Sequence, residues 1–227
     1  MSLEAPVQAP APLDASAQTP SSSGDPPVAG GPVARRLCLL GGESAGKTTL
    51  ARALAHALGA PFVPEYGREL WLRVGGTFGQ PLLLEVAREQ VRREEQALAL
   101  ARAQAAQRGA AQAWVVCDTS ALTTLVYCLL DHADAPEELH ALARRPYDLT
   151  VLCALDFAFV QDGARRDAVF SARQQALTVQ LLREFGMRWV AASGEVQTRL
   201  GVVQAALAAL GTGAAAGAAL RASLRQA

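Results

Sequence analysis

Lysine is almost absent from this chain of 227 residues. Lysine and arginine together number 21, and Lys47 is the only lysine among them. The Asn-Lys-x-Asp motif that reads guanine in GTPases is therefore absent. Because arginine serves at every other basic position, the retained lysine indicates a place that needs a compact ammonium group, where a planar guanidinium does not fit.

An excess of charge of either sign is also lacking. The formal net charge is zero and the pI is about 6.8, which argues against binding nucleic acid or an anionic membrane through bulk electrostatics. No apolar run approaches the length of a membrane span, and the N-terminus has neither the basic start nor the apolar stretch of a signal peptide. We expect no nucleic-acid or membrane partner, and the oligomeric state stays open.

Paired cysteines are missing as well. The sequence has Cys38, Cys117, Cys128 and Cys153, with no CxxC spacing between them, so a metal or redox motif of that kind is excluded. Three of the four lie in apolar runs typical of central strands. We expect buried, reduced thiols in a cytoplasmic protein.

The lone lysine belongs to a phosphate-binding loop. Residues 41–48 read Gly-Gly-Glu-Ser-Ala-Gly-Lys-Thr, the spacing of a P-loop. Its glycines let backbone N–H groups approach phosphate oxygens, the lysine spans the terminal phosphates, and the threonine hydroxyl ligates Mg²⁺. ATP is the expected phosphoryl donor with Mg²⁺ as cofactor, although the sequence leaves GTP open. The predicted ATP site comprises Gly41, Gly42, Glu43, Ser44, Ala45, Gly46, Lys47, Thr48 and Thr49.

Composition divides the chain into three parts. Residues 1–34 are mostly Ala, Pro, Ser, Gly and Gln with almost no large apolar side chains, so we expect a disordered tail. Residues 35–210 carry the apolar patterns of a folded domain. Residues 211–227 are rich in alanine and fit either a further helix or a frayed tail.

Short apolar runs alternate with helical patterns throughout 35–210. Strands are predicted at 36–40, 62–63, 113–117, 147–154 and 188–192, with helices between them and a long amphipathic helix at 81–108. Nearly all-apolar strands alternating with helices predict an α/β fold. We expect a P-loop NTPase three-layer sandwich, with about five parallel strands, helices on both faces and an arginine-bearing lid.

Asp118 follows directly on the third predicted strand. A carboxylate at that strand end can hold the metal or its water shell, together with Thr48. The alternative is a helix N-cap, which is common for Asp in a strand-to-helix turn. We favour the metal role because the strand context fits.

A phosphoryl acceptor needs a carboxylate of its own beside the triphosphate. Glu65 and Arg68 follow the second strand, whose carboxyl end faces the same crevice as the P-loop in an open parallel sheet. They could instead pair with each other on a surface loop. Gln90 and Glu94, one helical turn apart on the long helix, could read polar groups of the acceptor or simply be solvated.

Arginines follow the fourth strand in a glycine-containing loop at 161–167. Arg165 and Arg166, with Arg173 about two helical turns later, could close over the transferring phosphoryl group, or the loop could be a solvated turn. His132 with Asp131 and Asp134 matches no metal-ligand spacing, so we expect ordinary surface there.

Five separated motifs together resemble a known family. They are residues 41–48, Glu-Tyr-Gly-Arg-Glu at 65–69, Cys-Asp-Thr-Ser-Ala-Leu-Thr-Thr at 117–124, Tyr-Asp-Leu-Thr at 147–150 and Asp-Gly-Ala-Arg at 162–165. Their order and spacing resemble the ribosylnicotinamide kinase domain of the NadR family, a branch of the P-loop nucleoside and nucleotide kinases, over about residues 35–210. The resemblance implies ATP-dependent phosphorylation of the 5′-hydroxyl of nicotinamide riboside, giving nicotinamide mononucleotide for NAD salvage.

The resemblance also assigns residues to roles. It implies catalytic roles for Lys47, Glu65, Asp118 and Arg165, an ATP contact for Arg173, and acceptor contacts for Glu65, Tyr66, Arg68, Gln90 and Thr119. Whether Glu65 or Asp118 is the general base stays open. Longer members carry an adenylyltransferase domain ahead of the kinase, where this chain has the predicted tail, and many members have a second aspartate where this chain has Ser120. Two alternatives remain: a kinase for another small nucleoside, and a non-catalytic module that binds ATP or pyridine nucleotide and regulates a partner.

Overall fold

A computed structural model describes residues 31–163 and 165–211 of this chain. Its twelve elements in these ranges are β1 (Val33–Leu40), α1 (Lys47–Leu58), β2 (Phe62–Val63), α2 (Tyr66–Val74), α3 (Gln80–Gln107), β3 (Gln112–Asp118), α4 (Ala121–His132), α5 (Glu137–Ala143), β4 (Leu149–Cys153), α6 (Ala168–Glu184), β5 (Val190–Ala192) and α7 (Val196–Gly211). The tail predicted for 1–34 lies outside these ranges except for its last four residues, and most of the predicted 211–227 segment lies outside as well.

The five strands form one parallel sheet in the order β2-β3-β1-β4-β5. β1 is central, and its residues alternate between two fully covered faces. Leu37 and Leu39 pack with α1 and α7, while Cys38 and Leu40 pack with α4, α5 and α6. The predicted three-layer α/β fold with a five-stranded parallel sheet is confirmed.

Local signals explain where the helices begin. Pro81 lies in the first turn of α3, where its missing N–H costs nothing. Ser120 caps α4 by accepting from the backbone N–H of Leu122 at 3.2 Å, and Asp167 caps α6 by accepting from that of Phe170 at 2.7 Å. Helix α5 was not predicted, because its seven residues are too short to establish a helical period.

The four cysteines are buried and free, as expected for reduced thiols. Within the described ranges, no helix is both long and apolar enough to cross a bilayer.

Parallel strands end at the same edge of the sheet, which decides where the functional residues meet. The register pairs Leu39 with Asp118, so the end of β3 lies beside the start of the P-loop. β2 pairs with β3 and ends at Val63, two residues before Glu65. The residues after β1, β2 and β3 are thereby brought together at one edge.

Candidate active site

One cavity of about 450 Å³ lies at this carboxyl edge of the sheet. It is lined by the P-loop, by residues after β2 and β3, by one face of α3 and α4, and by the loop after β4. Among the residues predicted for the site, the cavity lining includes Gly41, Glu43, Ser44, Ala45, Gly46, Lys47, Thr48, Thr49, Glu65, Arg68, Gln90, Thr119 and Arg165. Residues far apart in the sequence therefore share one space.

The P-loop wraps around the ammonium group of Lys47. Nζ donates to the carbonyl oxygens of Gly41 at 2.9 Å and Gly42 at 2.8 Å. Gly46 (φ 76°) and Ser44 (φ 61°) both adopt the left-handed backbone conformation that turns the loop into α1. The ammonium group is compact enough to lie between these two carbonyl oxygens, whereas a guanidinium is planar and bulkier. The geometry thus gives a reason for the single lysine.

Helix α6 lies against the start of the P-loop. A Cβ atom on Gly42 would come within 2.4 Å of the carbonyl oxygen of Ser171, so only glycine fits there. The backbone N–H of Gly42 donates to Gln175 Oε1 at 2.9 Å, and that of Glu43 donates to Gln174 Oε1 at 3.0 Å. These two N–H groups are bound to protein, which leaves phosphate contacts to the later part of the loop.

The two glutamines of α6 were missed by the sequence analysis, which selected their neighbour Arg173. Arg173 is exposed and lies outside the cavity lining, because it points away from the face of α6 that packs on the P-loop. The polar residues Ser171, Gln174 and Thr178 are all buried on that face. Their helical spacing was the signal that could have identified it.

Glu43 holds several elements together. Its carboxylate accepts from the hydroxyl of Tyr127 on α4 at 2.8 Å and from the backbone N–H of Arg166 at 2.8 Å. Its carbonyl oxygen accepts from Ser171 Oγ at 2.6 Å. Glu43 therefore fixes the P-loop against α4, α6 and the loop after β4.

Asp118 is buried beside the P-loop, with 2% of its surface exposed. Burial raises the pKa of this carboxyl, while a hydrogen bond from Thr48 and the charge of Lys47 lower it. Its Oδ1 atom has no hydrogen-bond partner in the described part of the chain. An unpartnered carboxylate oxygen next to a hydroxyl is a donor set suited to a hard divalent cation such as Mg²⁺. The described residues contain no cluster of three or more His, Cys, Asp or Glu that could hold a metal alone.

The residue after Asp118 has an unusual backbone. Thr119 has φ 77°, and its N–H donates to the carbonyl oxygen of Leu39 at 3.1 Å. A β-branched residue in this conformation is strained, and such strain is common where a side chain must be aimed at a site. Thr119 is buried and lines the cavity. Ser120, the next residue, serves as the N-cap of α4.

Glu65 and Arg68 line the cavity on the side that follows β2. Burial raises the pKa of Glu65 to about 7, against the opposing charge of Lys47. Arg68 forms an ion pair with Asp162 in the loop after β4. Arg68 therefore pairs with Asp162 and not with Glu65, and it joins the start of α2 to the loop after β4.

Tyr66 lies outside the cavity. Its ring stacks under the guanidinium of Arg93 at 4.4 Å, its hydroxyl accepts from Arg73 at 3.3 Å, and the residue is not part of the cavity lining. The start of α2 turns this side chain towards α3, so the predicted acceptor contact has no support here. Trp71 and Phe78, which the sequence analysis did not select, line the same end of the cavity.

The loop after β4, described at residues 154–163 and 165–167, makes several hydrogen bonds to its surroundings. Arg165 lines the cavity, and its guanidinium donates to the carbonyl oxygen of Val160 at 2.6 Å. The Ser44 hydroxyl bonds the backbone of Val160 at 3.1 and 3.2 Å. Arg166 donates twice to Asp131 on α4, at 2.5 Å each. Arg165 and Arg166 are therefore hydrogen-bonded within the protein, although most of the loop around them is exposed to solvent.

Asp131 was expected to be an ordinary surface residue, and this expectation is wrong. Its side chain is 12% exposed, lines the cavity and binds the guanidinium that stacks on Phe170 at 4.0 Å. The end of α4 and the loop after β4 meet only in the folded protein, so this pair could not be predicted from local sequence patterns. His132 instead bonds the carbonyl oxygen of Phe78 at 2.9 Å.

Arg199 on α7 supports the P-loop from behind, and the sequence analysis missed it. It is 1% exposed, donates to the carbonyl oxygens of Ala45 and Gly194 at 2.7 Å each, and pairs with Asp156. Its guanidinium stacks on Phe157 at 4.4 Å. This arginine therefore joins the phosphate loop to the strand ends of β4 and β5.

Comparisons with known proteins place this arrangement in context. Residues 36–199 match the family model described as AAA domain (AAA_28). No curated protein matches the chain. Among solved structures, a NadR protein in complex with NAD and AMP-PNP aligns with a TM-score of 0.58 and 20% identity, covering 75% of this chain and 48% of that one.

Two further solved structures share the fold. A NadR protein in complex with NR has a TM-score of 0.54 at 24% identity, over 71% of this chain and 46% of that one. Thymidylate kinase from Ehrlichia chaffeensis has a TM-score of 0.54 at 18% identity, over 76% of this chain and 98% of that one. The chain thus spans about half the length of the NadR proteins it matches. The fold is the α/β P-loop kinase fold of these neighbours. Because the family model covers most of the length of the chain, the chain belongs to the AAA domain family AAA_28.

Proposed function

We propose that this protein is a kinase that transfers the γ-phosphoryl group of ATP to the 5′-hydroxyl of nicotinamide riboside, giving nicotinamide mononucleotide for NAD salvage. The observation that carries the proposal is the shared cavity, in which Lys47 of the P-loop and Glu65 of the acceptor edge line one space. A phosphate-binding loop and a carboxylate able to change protonation near neutral pH are the two parts that phosphoryl transfer to a hydroxyl requires.

Each end of the cavity has a proposed task. The N–H groups of the loop from Ser44 onward, with the N-terminus of α1, bind the phosphates, and Lys47 exchanges its carbonyl contacts for phosphate oxygens. Arg165 enters from the loop after β4 and neutralises charge on the transferring group. Arg68, Gln90 and Thr119 contact the acceptor, beside the apolar wall that includes Trp71 and Phe78.

Glu65 is the better candidate for the general base. Its pKa of about 7 suits a base at neutral pH, whereas the carboxylate of Asp118 is engaged by Thr48. The acceptor hydroxyl oxygen forms a bond to the γ-phosphorus, the bond from that phosphorus to the β-phosphate bridging oxygen breaks, and the hydroxyl proton passes to Glu65. ADP leaves with the bonding electron pair.

Thr48 and Asp118 would hold Mg²⁺, with waters and phosphate oxygens completing its shell. When bound, the ion would neutralise negative charge on the phosphates. The unpartnered Oδ1 of Asp118 is the observation in favour of this assignment.

Nicotinamide riboside is preferred as acceptor because the five sequence motifs resemble the NadR kinase domain and a NadR protein with NR bound shares the fold. A kinase for another nucleoside or nucleotide is the second candidate. It is favoured by the match to thymidylate kinase, which extends over nearly the whole of that enzyme.

An ADP-release assay with ATP and Mg²⁺ tests the proposal on the full chain, with nicotinamide riboside, adenosine, thymidine and thymidine monophosphate as acceptors. Turnover of nicotinamide riboside at least tenfold above the others is expected. Turnover with another acceptor alone would identify a different kinase. Binding of nicotinamide mononucleotide without turnover of any acceptor would favour the non-catalytic regulatory module.

A further inference from the structure

Helix α2 begins directly after Glu65, the proposed base. Glu65 is the N-cap of this helix, and its backbone carbonyl oxygen accepts from the N–H of Glu69 at 3.4 Å. The first N–H groups of a helix have no acceptor within the helix, and the side chain of the N-cap residue commonly accepts from one of them. The carboxylate of Glu65 makes no such capping bond to the described start of α2.

Helices α4 and α6 begin differently. Ser120 accepts from the N–H of Leu122 with its own side chain, and Asp167 accepts from the N–H of Phe170 in the same way. Asp167 shows that a carboxylate can perform this task. Glu65 differs from both N-cap residues, because its side chain lines the cavity instead of capping its helix.

Gln90 on α3 supplies an acceptor to the start of α2. Its Oε1 accepts from the backbone N–H of Tyr66, the first residue of α2, at 3.0 Å. The residue is 2% exposed, so the alternative of a solvated Gln90 is wrong. Nε2 of this amide is buried without a partner in the described part of the chain, so Gln90 is held through its oxygen. One of the first N–H groups of α2 is thereby satisfied without the carboxylate of Glu65.

Side chains of the first turn of α2 are held against α3 as well. The guanidinium of Arg93 lies 4.4 Å from the ring centre of Tyr66 and donates to Glu69 at 2.7 Å. The hydroxyl of Tyr66 also accepts from Arg73 at 3.3 Å. A turn fixed through both its backbone and its side chains holds the preceding residue, Glu65, in place.

Glu94, one turn further along α3, does not share this role. It is fully buried, it is not part of the cavity lining, and its Oε2 accepts from the hydroxyl of Tyr147 at 2.7 Å. An acceptor contact and a solvated carboxylate were the two alternatives for Glu94, and its position agrees with neither.

We infer that Gln90 is a positioning residue for Glu65: by accepting the first N–H of α2, it takes over the capping task and leaves the Glu65 carboxylate to face the acceptor hydroxyl. Without this oxygen, a carboxylate at the N-cap is well placed to accept from the start of its own helix. Glu65 would then be withdrawn from the cavity. This inference rests on the proposed function, because Glu65 is the base of that reaction.

The test compares Gln90→Met with Gln90→Glu in the full chain. Methionine has the length of glutamine but no accepting oxygen, whereas glutamate keeps one. With the acceptor that the wild type turns over fastest, kcat should fall about tenfold in Gln90→Met and stay within about threefold of wild type in Gln90→Glu. The KM for ATP should stay within about twofold in both, since the P-loop is unaltered. An equal loss of kcat in the two variants would overturn the inference.

The pH dependence of kcat/KM at a fixed Mg²⁺ concentration gives a second readout. Burial raises the pKa of Glu65 to about 7, so activity that needs the ionised base should rise with pH through this value. Two acids that raise this pKa and two bases that lower it act on the carboxyl: Asp118, Glu43, Lys47 and Arg68. In Gln90→Met, capping N–H groups and the helix dipole favour the ionised form, so the midpoint should move down by about one pH unit. A reduced kcat with an unmoved midpoint would contradict the inference.

Val91→Ala is the matched control for lost stability. Val91 follows Gln90 on α3, packs in the core and is not part of the cavity lining. Alanine removes packing without touching the cap, so this variant should have a lower melting temperature with unchanged kcat and midpoint. If Gln90 only stabilised the contact between α2 and α3, Gln90→Met would behave in the same way, which would refute its positioning role.

Glu65→Gln separates failure of the proposed function from failure of this inference. Loss of turnover in Glu65→Gln, together with wild-type kcat and midpoint in Gln90→Met, would overturn the inference alone. Full turnover in Glu65→Gln would overturn both the assignment of the base and the inference. Absence of turnover of every acceptor by the wild type would overturn the proposed function, and the inference with it.

Discussion

Replacing Glu94 by glutamine should make the stability of the protein less dependent on pH. Glu94 is fully buried and receives one hydrogen bond, from Tyr147. Burial raises its pKa from 4.5 to about 7, although Tyr147 and the charges of Arg36 and Arg145 oppose the shift. The folded state thus holds a proton on this group that the unfolded chain releases at lower pH.

The sign of the effect follows from that difference. Stability from the protonated Glu94 is fully present below the unfolded pKa near 4.5, and it is lost as pH rises through the folded pKa of about 7. A shift of this size corresponds to about 3 kcal/mol in total, of which about 2.5 kcal/mol falls between about pH 5 and about pH 8. Glutamine cannot ionise, so Glu94→Gln should not lose this stability.

Denaturant unfolding of wild type and variant at about pH 5 and about pH 8 measures the effect. From about pH 5 to about pH 8, the free energy of unfolding of wild type should fall by about 2.5 kcal/mol relative to that of the variant. This difference corresponds to roughly 5–10 °C in melting temperature. Glu65, whose pKa is also raised to about 7, titrates in both proteins and cancels. Glu95→Gln is the control, since that carboxylate is half-exposed. Parallel stability curves for wild type and Glu94→Gln would refute the reasoning, because they would mean that Glu94 is ionised in the folded protein.

Three further outcomes are expected. Lys47→Arg should reduce turnover at least about a hundredfold with an unchanged melting temperature, since the ammonium lies against two loop carbonyls; near-normal turnover would contradict this. Gly42→Ala should cost about 1–3 kcal/mol of stability and weaken ATP binding, because its Cβ has no room beside α6. The control Gly67→Ala places its Cβ 3.4 Å from the nearest atom and should be nearly neutral in both measurements. Arg199→Met should destabilise the protein by about 2–4 kcal/mol in denaturant unfolding, because it leaves Asp156 and three carbonyl oxygens without their donor; a loss under about 1 kcal/mol would show that water replaces the guanidinium.

Local patterns account for the parts of the site that the sequence located well. The P-loop is contiguous, so its spacing alone brings Lys47 and Thr48 together at the start of α1. Asp118 and Glu65 each follow an apolar strand, and parallel strands deliver their carboxyl ends to one edge. For such residues a short motif and the strand order are sufficient.

Residues that act through a partner from elsewhere in the chain were not found in this way. Asp131 and Arg166 are 35 positions apart, and Gln174 lies 131 positions from the backbone N–H that it binds. Arg173 and Tyr66 were predicted for the site on motif position, but the rotation of their helices turns both away from the cavity. Which face of a helix meets the site depends on packing that no single segment encodes.

The sequence alone determined the phosphate loop and the alternation of strands and helices, since both depend on residues close together in the chain. The tertiary structure decided which side chains surround the phosphate loop. Packing of α6 against Gly42, burial of Arg199 behind Ala45, and the placement of Glu94 beneath Gln90 arise only when the layers close on the sheet. Burial then sets the pKa of Glu65 and Glu94, because the cost of ionising a carboxyl depends on what surrounds it.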